Sequence, residues 1–359
     1  MVPLLSLAFA ASLLSTAFAL PYDIAPAIAR RNAATHGASS AVKVNVLYSF
    51  GDGTWAENLA VRANGQILLS RLDTPEVLQL DPKGIKEPIT VASWNSSTYM
   101  GCLGISETTP DLFYVVTSGF VDDSFVLTSG VNSIWEIDMS TFSVSEHTGK
   151  VVSNATVSKL VDVTTSDFLN GLTTLSDDLI LVADVYNGWV YRVNTSTGAY
   201  SVAVNEESMK FDSIPNPPTN IGVNGIKLLD DYLYWSNTAV GTLNRIRITA
   251  RGAPIGKAEV VTSNVPKADD FIFKSDGVAF IAQNQMDELS VLYPGQSEAA
   301  VIAGSNISTI LAGVSAGKFG RLPDDKHILY LTTSGAEGKP INGTVTVPAT
   351  LSWIDTSAF

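Results

Sequence analysis

Six times along this 359-residue chain a polar turn leads into a short apolar strand, and a second strand usually follows and ends near Asp or Asn. The turns begin at Asn64-Gly65, Pro110-Asp111, Asp177-Asp178, Asp230-Asp231, Asp276-Gly277 and Asp324-Asp325. Typical strand pairs are Leu112 to Val116 with Ile134 to Asp138, and Leu179 to Val182 with Trp189 to Asn194. About 260 residues separate the first start from the last, which is about 52 per step. From Val44 onward apolar residues alternate with period 2, and long helical-period segments are nearly absent. A repeat of this length made only of strands is the pattern of a β-propeller, because one small sheet cannot bury its own faces and a closed ring of them can. The spacing predicts an all-β, six-bladed β-propeller with four-stranded antiparallel blades, occupying 44–359 as a single domain. Val44 to Tyr48 or Thr344 to Trp353 would complete the last blade by pairing across the termini. The second step is the longest, which implies an insertion within Ser118 to Asn132. Two stacked sandwiches would leave the regular spacing unexplained.

Composition narrows the function classes. The chain is 45% hydrophobic and 16% charged, the opposite of a disordered sequence. Its net charge of −13 provides no basic footprint, so nucleic acid is excluded as a partner. Residues 1–19 read as a signal peptide, with an apolar run from Leu4 to Leu14 and a small-x-small site at Ala17-Phe18-Ala19. The expected destination is the secretory pathway, secreted or lumenal. Residues 20–43 read as a leader or flexible N-terminal arm, in which Arg30-Arg31 could be a dibasic processing site. Beyond the signal no stretch has the ~18 apolar residues of a membrane span, so none is expected in the mature chain. Cys102 is the only cysteine, so no intrachain disulfide can form. Asn-x-Ser/Thr acceptors for glycosylation stand at Asn95, Asn154, Asn194, Asn306 and Asn342.

In a propeller the innermost strand of each blade lines the central channel, and residues at its entrance converge. Just upstream of the six turns lie Trp55-Ala56-Glu57-Asn58, Tyr99-Met100-Gly101-Cys102, Phe168-Leu169-Asn170-Gly171, Val223-Asn224-Gly225, Ala268-Asp269-Asp270-Phe271 and Ser315-Ala316-Gly317-Lys318-Phe319. Carboxylates, carboxamides, a lysine and aromatics in one place suit a small-molecule pocket. The blander readings are that Asn170 and Asn224 cap strand entries with Gly behind them, that the aromatics pack between blades, and that Cys102 is a small buried hydrophobe.

Other constellations fail. Gly313-Val314-Ser315-Ala316-Gly317 matches the spacing of a nucleophile elbow, but that motif needs a following helix and a histidine. The three histidines are His36 in the leader, His147 in a loop and His327 beside a turn. Their scarcity also excludes a zinc site of the usual His or Cys type.

The segments Glu57-Asn58-Leu59-Ala60-Val61, Asn170-Gly171-Leu172, Asn224-Gly225-Ile226-Lys227 and Asp269-Asp270-Phe271 resemble those of the six-bladed propellers of the senescence-marker-protein/gluconolactonase superfamily. From Glu57 to about Gly335 the chain is most similar to a secreted fungal branch, which includes hetero-Diels–Alderases of tropolonic sesquiterpenoid biosynthesis. The resemblance implies a calcium site in the lactonases, matched here by Glu57, Asn170, Asn224 and Asp269. The chain departs from the lactonase pattern: Asn58-Leu59 follows Glu57 in place of Gly-Pro, and Asp270 follows Asp269 in place of Gly. No cofactor is therefore expected, with calcium the alternative.

Three functions follow. The first, implied by the resemblance, is a pericyclase joining a polyketide tropolone, as its quinone methide, to a humulene-type sesquiterpene. Glu57, Lys318, Asp269 and Asp270 would be catalytic, and Trp55, Tyr99, Phe168, Asn170, Asn224 and Phe319 would hold substrate. The second is a calcium-dependent lactonase of gluconolactonase type. The third is a secreted binding propeller without catalysis, which a channel plugged by side chains would favour.

Overall fold

The computed structural model describes residues 42–83, 86–121, 127–129 (backbone only) and 131–359. The expected signal segment 1–19, Arg30-Arg31, His36 and the arm up to residue 41 lie outside the described residues.

Six four-stranded antiparallel sheets follow one another along the chain. Blade 1 runs outward through Ala56–Val61, Ile67–Arg71, Glu76–Leu80 and Ile89–Ser93. The inner strands of blades 2 to 6 are Gly101–Thr109, Leu169–Ser176, Val223–Leu229, Ala268–Phe273 and Val314–Phe319. Each packs against the inner strand of the blades on either side, and the last meets the first, so the ring is closed. Blade 6 continues through Ile328–Thr333 and Thr350–Asp355 and takes Asn45–Ser49 as its outermost strand. Both terminal segments singled out in the sequence therefore contribute to closure.

Tight turns separate inner from second strands. Asp111 and Asp230 take left-handed backbone there, a conformation Asp tolerates better than most residues. The predicted insertion in blade 2 is a small hairpin of Phe120–Val121 with Leu127–Ser129, between the second and third strands. A second hairpin, Ser143–Val144 with Val151–Ser153, adds to the same step and was not anticipated.

The apolar cores lie between blades. One joins Leu68 and Val77 of blade 1 to Cys102, Phe113 and Val115 of blade 2. Equivalent clusters join blades 2 and 3, 3 and 4, 4 and 5, 5 and 6, and 6 and 1. Second strands are consequently buried on both faces, as Leu179–Asp184 is throughout, whereas the outermost strand Tyr200–Val204 is only partly covered, with Ser201 and Val202 exposed. Side chains such as Phe113, Trp235 and Phe271 are fully buried, each worth roughly 1.5–3 kcal/mol or more by area. Cys102 is fully buried in this packing, and desolvation pushes its thiol well above the ordinary range, so the bland reading holds. Of the asparagines expected to carry glycans, Asn95, Asn154, Asn306 and Asn342 are exposed. Asn194 is half-buried, and its Oδ1 accepts from the Ser196 and Thr197 amides and the Thr197 hydroxyl.

Candidate functional site

Every inner strand carries the same irregularity near its start. Its register against the second strand slips between Ala56 and Asn58, Cys102 and Ile105, Leu169 and Leu172, Val223 and Ile226, Ala268 and Phe271, and Val314 and Ala316. A bulge breaks strict alternation, so consecutive side chains can serve the same side of a strand. Glu57 and Asn58 both reach the channel, and so do Asp269 and Asp270. The Asn58 Nδ2 donates across it to Asp270 Oδ2 at 3.1 Å. Carbonyls released from the ladder are taken up by hydroxyls of the preceding blade: Ser70 donates to Leu103 O at 2.6 Å, Ser118 to Leu169 O at 2.8 Å and Ser315 to Ala56 O at 2.7 Å. Gly171 and Gly225 allow neighbouring inner strands to touch. A Cβ on Gly171 would lie 2.2 Å from Asn224 O, and one on Gly225 would lie 2.3 Å from Asp270 Oδ1.

At the starting ends of the inner strands a cup opens, with about 550 Å³ of atom-free space continuous with solvent. Trp55, Glu57, Phe168, Asn170, Asn224 and Asp269 line it together, as the sequence suggested. Met100, from one of the channel segments, joins its apolar wall; Leu72, Leu103 and Ile221 in that wall were not foreseen as lining, nor were Thr238, Asn284, Gln285 and Lys267. Several of these lie just after second strands, where no motif marks them. Phe168 stacks on Tyr186 at 5.5 Å between ring centres, which fixes one side of the cup.

The polar groups form two layers. In the upper layer the Trp55 indole N–H donates to Glu57 Oε2 at 2.5 Å, and the Asn170 side chain also hydrogen-bonds this carboxyl. Asp269 accepts from Asn224 Nδ2 at 2.8 Å on Oδ1 and from Asn284 Nδ2 at 3.0 Å on Oδ2. Asn224 Nδ2 also reaches the Thr238 hydroxyl at 3.1 Å. In the lower layer Lys227 Nζ meets both Asp270 oxygens, at 2.5 and 2.7 Å, while the Phe271 amide donates to Oδ1 at 2.8 Å.

Burial and charge separate these layers. Glu57 and Asp269 are 4% and 7% exposed, and both accept hydrogen bonds from neutral donors. The Glu57 carboxyl is raised from 4.5 to about 7: desolvation drives the rise, the Trp55 hydrogen bond opposes it, the nearby Asp270 charge adds to it and the Asn170 hydrogen bond opposes it. Desolvation also holds Asp269 well above the usual carboxylate range, with Glu57 and then Asp270 adding to it. Lys267, at the rim, has its amine lowered by burial and by Lys339. The cup can thus supply a proton-bearing carboxyl beside carboxamide donors and an apolar surface.

Four expected site residues lie outside the cup. Tyr99 packs edge-on against Trp135, and its hydroxyl is 3.1 Å from Ser133 Oγ, so it belongs to the packing of blade 2. Lys318 and Phe319 sit at the finishing end of their strand and line the opposite mouth of the channel. Asp270 faces the channel below the cup and is held by Lys227, a residue outside the candidate set. Ser315 is buried, bonded to Ala56 O and 3.0 Å from the Thr332 hydroxyl, and it lies on a strand, while His147 and His327 are exposed. The elbow-like spacing is therefore accidental.

The calcium reading can be tested on the donors. Two carboxylates and two carboxamides on one cavity are hard oxygen ligands of the right kind. The residue types fit; their hydrogen bonds would have to rearrange, because the Asn224 N–H₂ faces Asp269 and the Trp55 indole occupies Glu57. No group of three or more His, Cys, Asp or Glu in metal-binding proximity occurs among the described residues.

No protein-family model matches the chain. It is 26% identical over 349 residues to a Sarocladium schorii protein named provisionally as hetero-Diels-Alderase asR5, covering 88% of this chain and 84% of that one. A Phoma sp protein, also named provisionally as a hetero-Diels-Alderase, is 26% identical over 311 residues, covering 80% and 85%. Among solved structures, a luciferin-regenerating enzyme superposes with a TM-score of 0.59 at 12% identity over 88% of this chain and 95% of that one. A gluconolactonase from Xanthomonas campestris superposes with a TM-score of 0.53 at 13% identity over 88% and 89%. The resemblance drawn from the channel segments is borne out in sequence by the first pair and in fold by the second.

Proposed function

We propose that the cup is the site of a pericyclase, a hetero-Diels–Alderase that joins a tropolone quinone methide to a humulene-type sesquiterpene. The observation that carries this reading is a buried carboxyl, Glu57, set between an indole and a carboxamide and facing an apolar wall. The names of the two sequence relatives support it. In the first step Glu57 protonates the hydroxyl of a hydroxymethyl-tropolone; the C–O bond breaks, water leaves, and the ring hydroxyl proton returns to the carboxylate, giving the quinone methide. In the second, the heterodiene and an alkene of the polyene form one C–O and one C–C bond with no atom lost. Leu72, Met100, Leu103, Phe168 and Ile221 hold the polyene in one pose, which removes much of the entropic barrier. The carboxamide of Asn170 donates to the tropolone oxygen as charge gathers on it, while Asn224, whose amino group is held by Asp269 and Thr238, lines the pocket and positions the Asp269 carboxyl. No nucleophile is needed.

The test is turnover of a hydroxymethyl-tropolone with humulene, followed by chiral chromatography. Glu57→Gln should slow quinone methide formation at least tenfold, and Phe168→Ala should erode product stereochemistry. Wild-type rates and product ratios in both variants would refute the assignment.

A second reading, a lactonase, is favoured by the four oxygen donors on one cavity. Glu57, Asn170, Asn224 and Asp269 would hold a divalent cation, which when bound would polarise a lactone carbonyl. Calorimetric calcium binding and chelator-sensitive lactone hydrolysis would select it. We also propose a secretory route with glycans on the exposed acceptors, tested by a mobility shift on enzymatic deglycosylation.

A further inference from the structure

The finishing ends of the inner strands form a second opening, with about 520 Å³ of atom-free space continuous with solvent. Ala60 lies three residues beyond Glu57, so at ~3.3 Å per residue this mouth is about 10 Å below the cup along the axis. The Lys227–Asp270 pair, bridged to Asn58, lies between them.

The polar groups at this mouth are committed, with one exception. Arg321 pairs with Glu107 Oε2 and donates to Val61 O at 3.0 Å. The other Glu107 oxygen accepts the Asp111 amide at 2.8 Å. The Ser106 hydroxyl is 2.8 Å from that of Thr174. Lys318 is the exception: among the described residues no hydrogen bond or ion pair engages its ammonium. The apolar Ala60, Val61 and Phe319 line the same opening as Lys318, beside Ser106, Glu107 and Arg321. Four charged groups act on it. Lys227 and Arg321 repel its charge, whereas Asp270 and Glu107 favour it more weakly than burial opposes it, and the amine is lowered to about 8. Lys318 is half-buried; a partly desolvated cation without a counter-ion is costly, and an anion delivered to it would relieve the repulsion.

We infer that this second mouth is a binding site for a small carboxylate on an apolar body, with Lys318 as its counter-ion. One free cation matches one negative charge, and Ala60, Val61 and Phe319 match an aliphatic or aromatic remainder. The site is independent of the chemistry proposed for the cup, which it neither requires nor alters.

Benzoate titrated calorimetrically into the full-length protein at pH 7 provides the test, with benzamide as the neutral control. Saturable binding of one benzoate and at least tenfold weaker binding of benzamide are expected. Lys318→Met should lose at least tenfold in benzoate affinity while melting at or above the wild-type temperature, and Lys318→Arg should retain binding. Raising the pH from 7 to 10 should weaken benzoate at least tenfold, as the amine loses its proton. Glu57→Gln should leave the affinity unchanged. Absence of saturable binding, equal affinity in Lys318→Met, or loss of affinity in Glu57→Gln would overturn the inference, the last by placing benzoate in the cup.

Discussion

Replacing Glu57 by Gln should stabilise the protein above neutral pH and do little below pH 4.5. The folded-state carboxyl is raised from 4.5 to about 7, so between those values the native state holds a proton that the unfolded chain releases. Stability from this group is therefore fully present below 4.5, falls as the pH rises, and is gone above about 7. At 1.36 kcal/mol per pH unit the change amounts to about 3 kcal/mol. Glutamine keeps an acceptor for the Trp55 indole and cannot ionise, so it escapes that loss. It also removes a charge that raises Asp269, which adds in the same direction. Urea unfolding of wild type and Glu57→Gln at half-unit steps from pH 4 to 8.5 measures the difference directly. It should grow from near zero to about 3 kcal/mol, with the steepest change between pH 5 and 7. A difference independent of pH, or a Glu57 carboxyl titrating near 4.5 by carbon NMR, would refute the reasoning.

Removing Lys227 alone strands a buried carboxylate, so Lys227→Met should cost about 3–5 kcal/mol in urea unfolding, and adding Asp270→Asn should restore more than half. Gly225→Ala places a methyl 2.3 Å from Asp270 Oδ1 and 2.7 Å from its Cα, and should destabilise by about 1–3 kcal/mol. By contrast, Gly317→Ala meets the tips of Leu329 and Leu331 at 3.1 Å and Tyr330 O at an ordinary 3.4 Å, and should cost less, as midpoints measured side by side will show. The Cys102 thiol should resist iodoacetamide at pH 8 in the native protein and react in urea, which mass spectrometry can follow.

Blade number and the six inner strands were readable because turn chemistry and apolar runs repeat at fixed spacing, a property of local sequence. The hairpin at Ser143–Val144 and Val151–Ser153 escaped notice because two- and three-residue strands carry no alternation to detect. Within the site, the starting ends of the strands brought Glu57, Asn170, Asn224 and Asp269 together as expected, because residues at matching positions of the repeat lie at one height. Lys318 was misplaced for the same geometric reason: it stands four residues after Val314, at the far end of its strand. Tyr99 precedes its strand and turns into blade 2. Lys227 stayed outside the candidate set because its partner is 43 residues away, and only the missing side chain at Gly225 lets Asp270 reach it. Asn284 sits in a turn after a second strand, where sequence gives no hint of direction.

The outermost strand of blade 6 comes from Asn45–Ser49, and its partner Thr350–Asp355 comes from near the other end. Synthesis must therefore pass Asp355 before the torus can be latched. Five sheets can assemble as they emerge, but the final docking joins segments some three hundred positions apart and carries the largest loop-closure entropy. Premature termination before Thr350 and loss of the first strand should accordingly produce the same defect, an unlatched ring with an exposed edge open to pairing with other molecules.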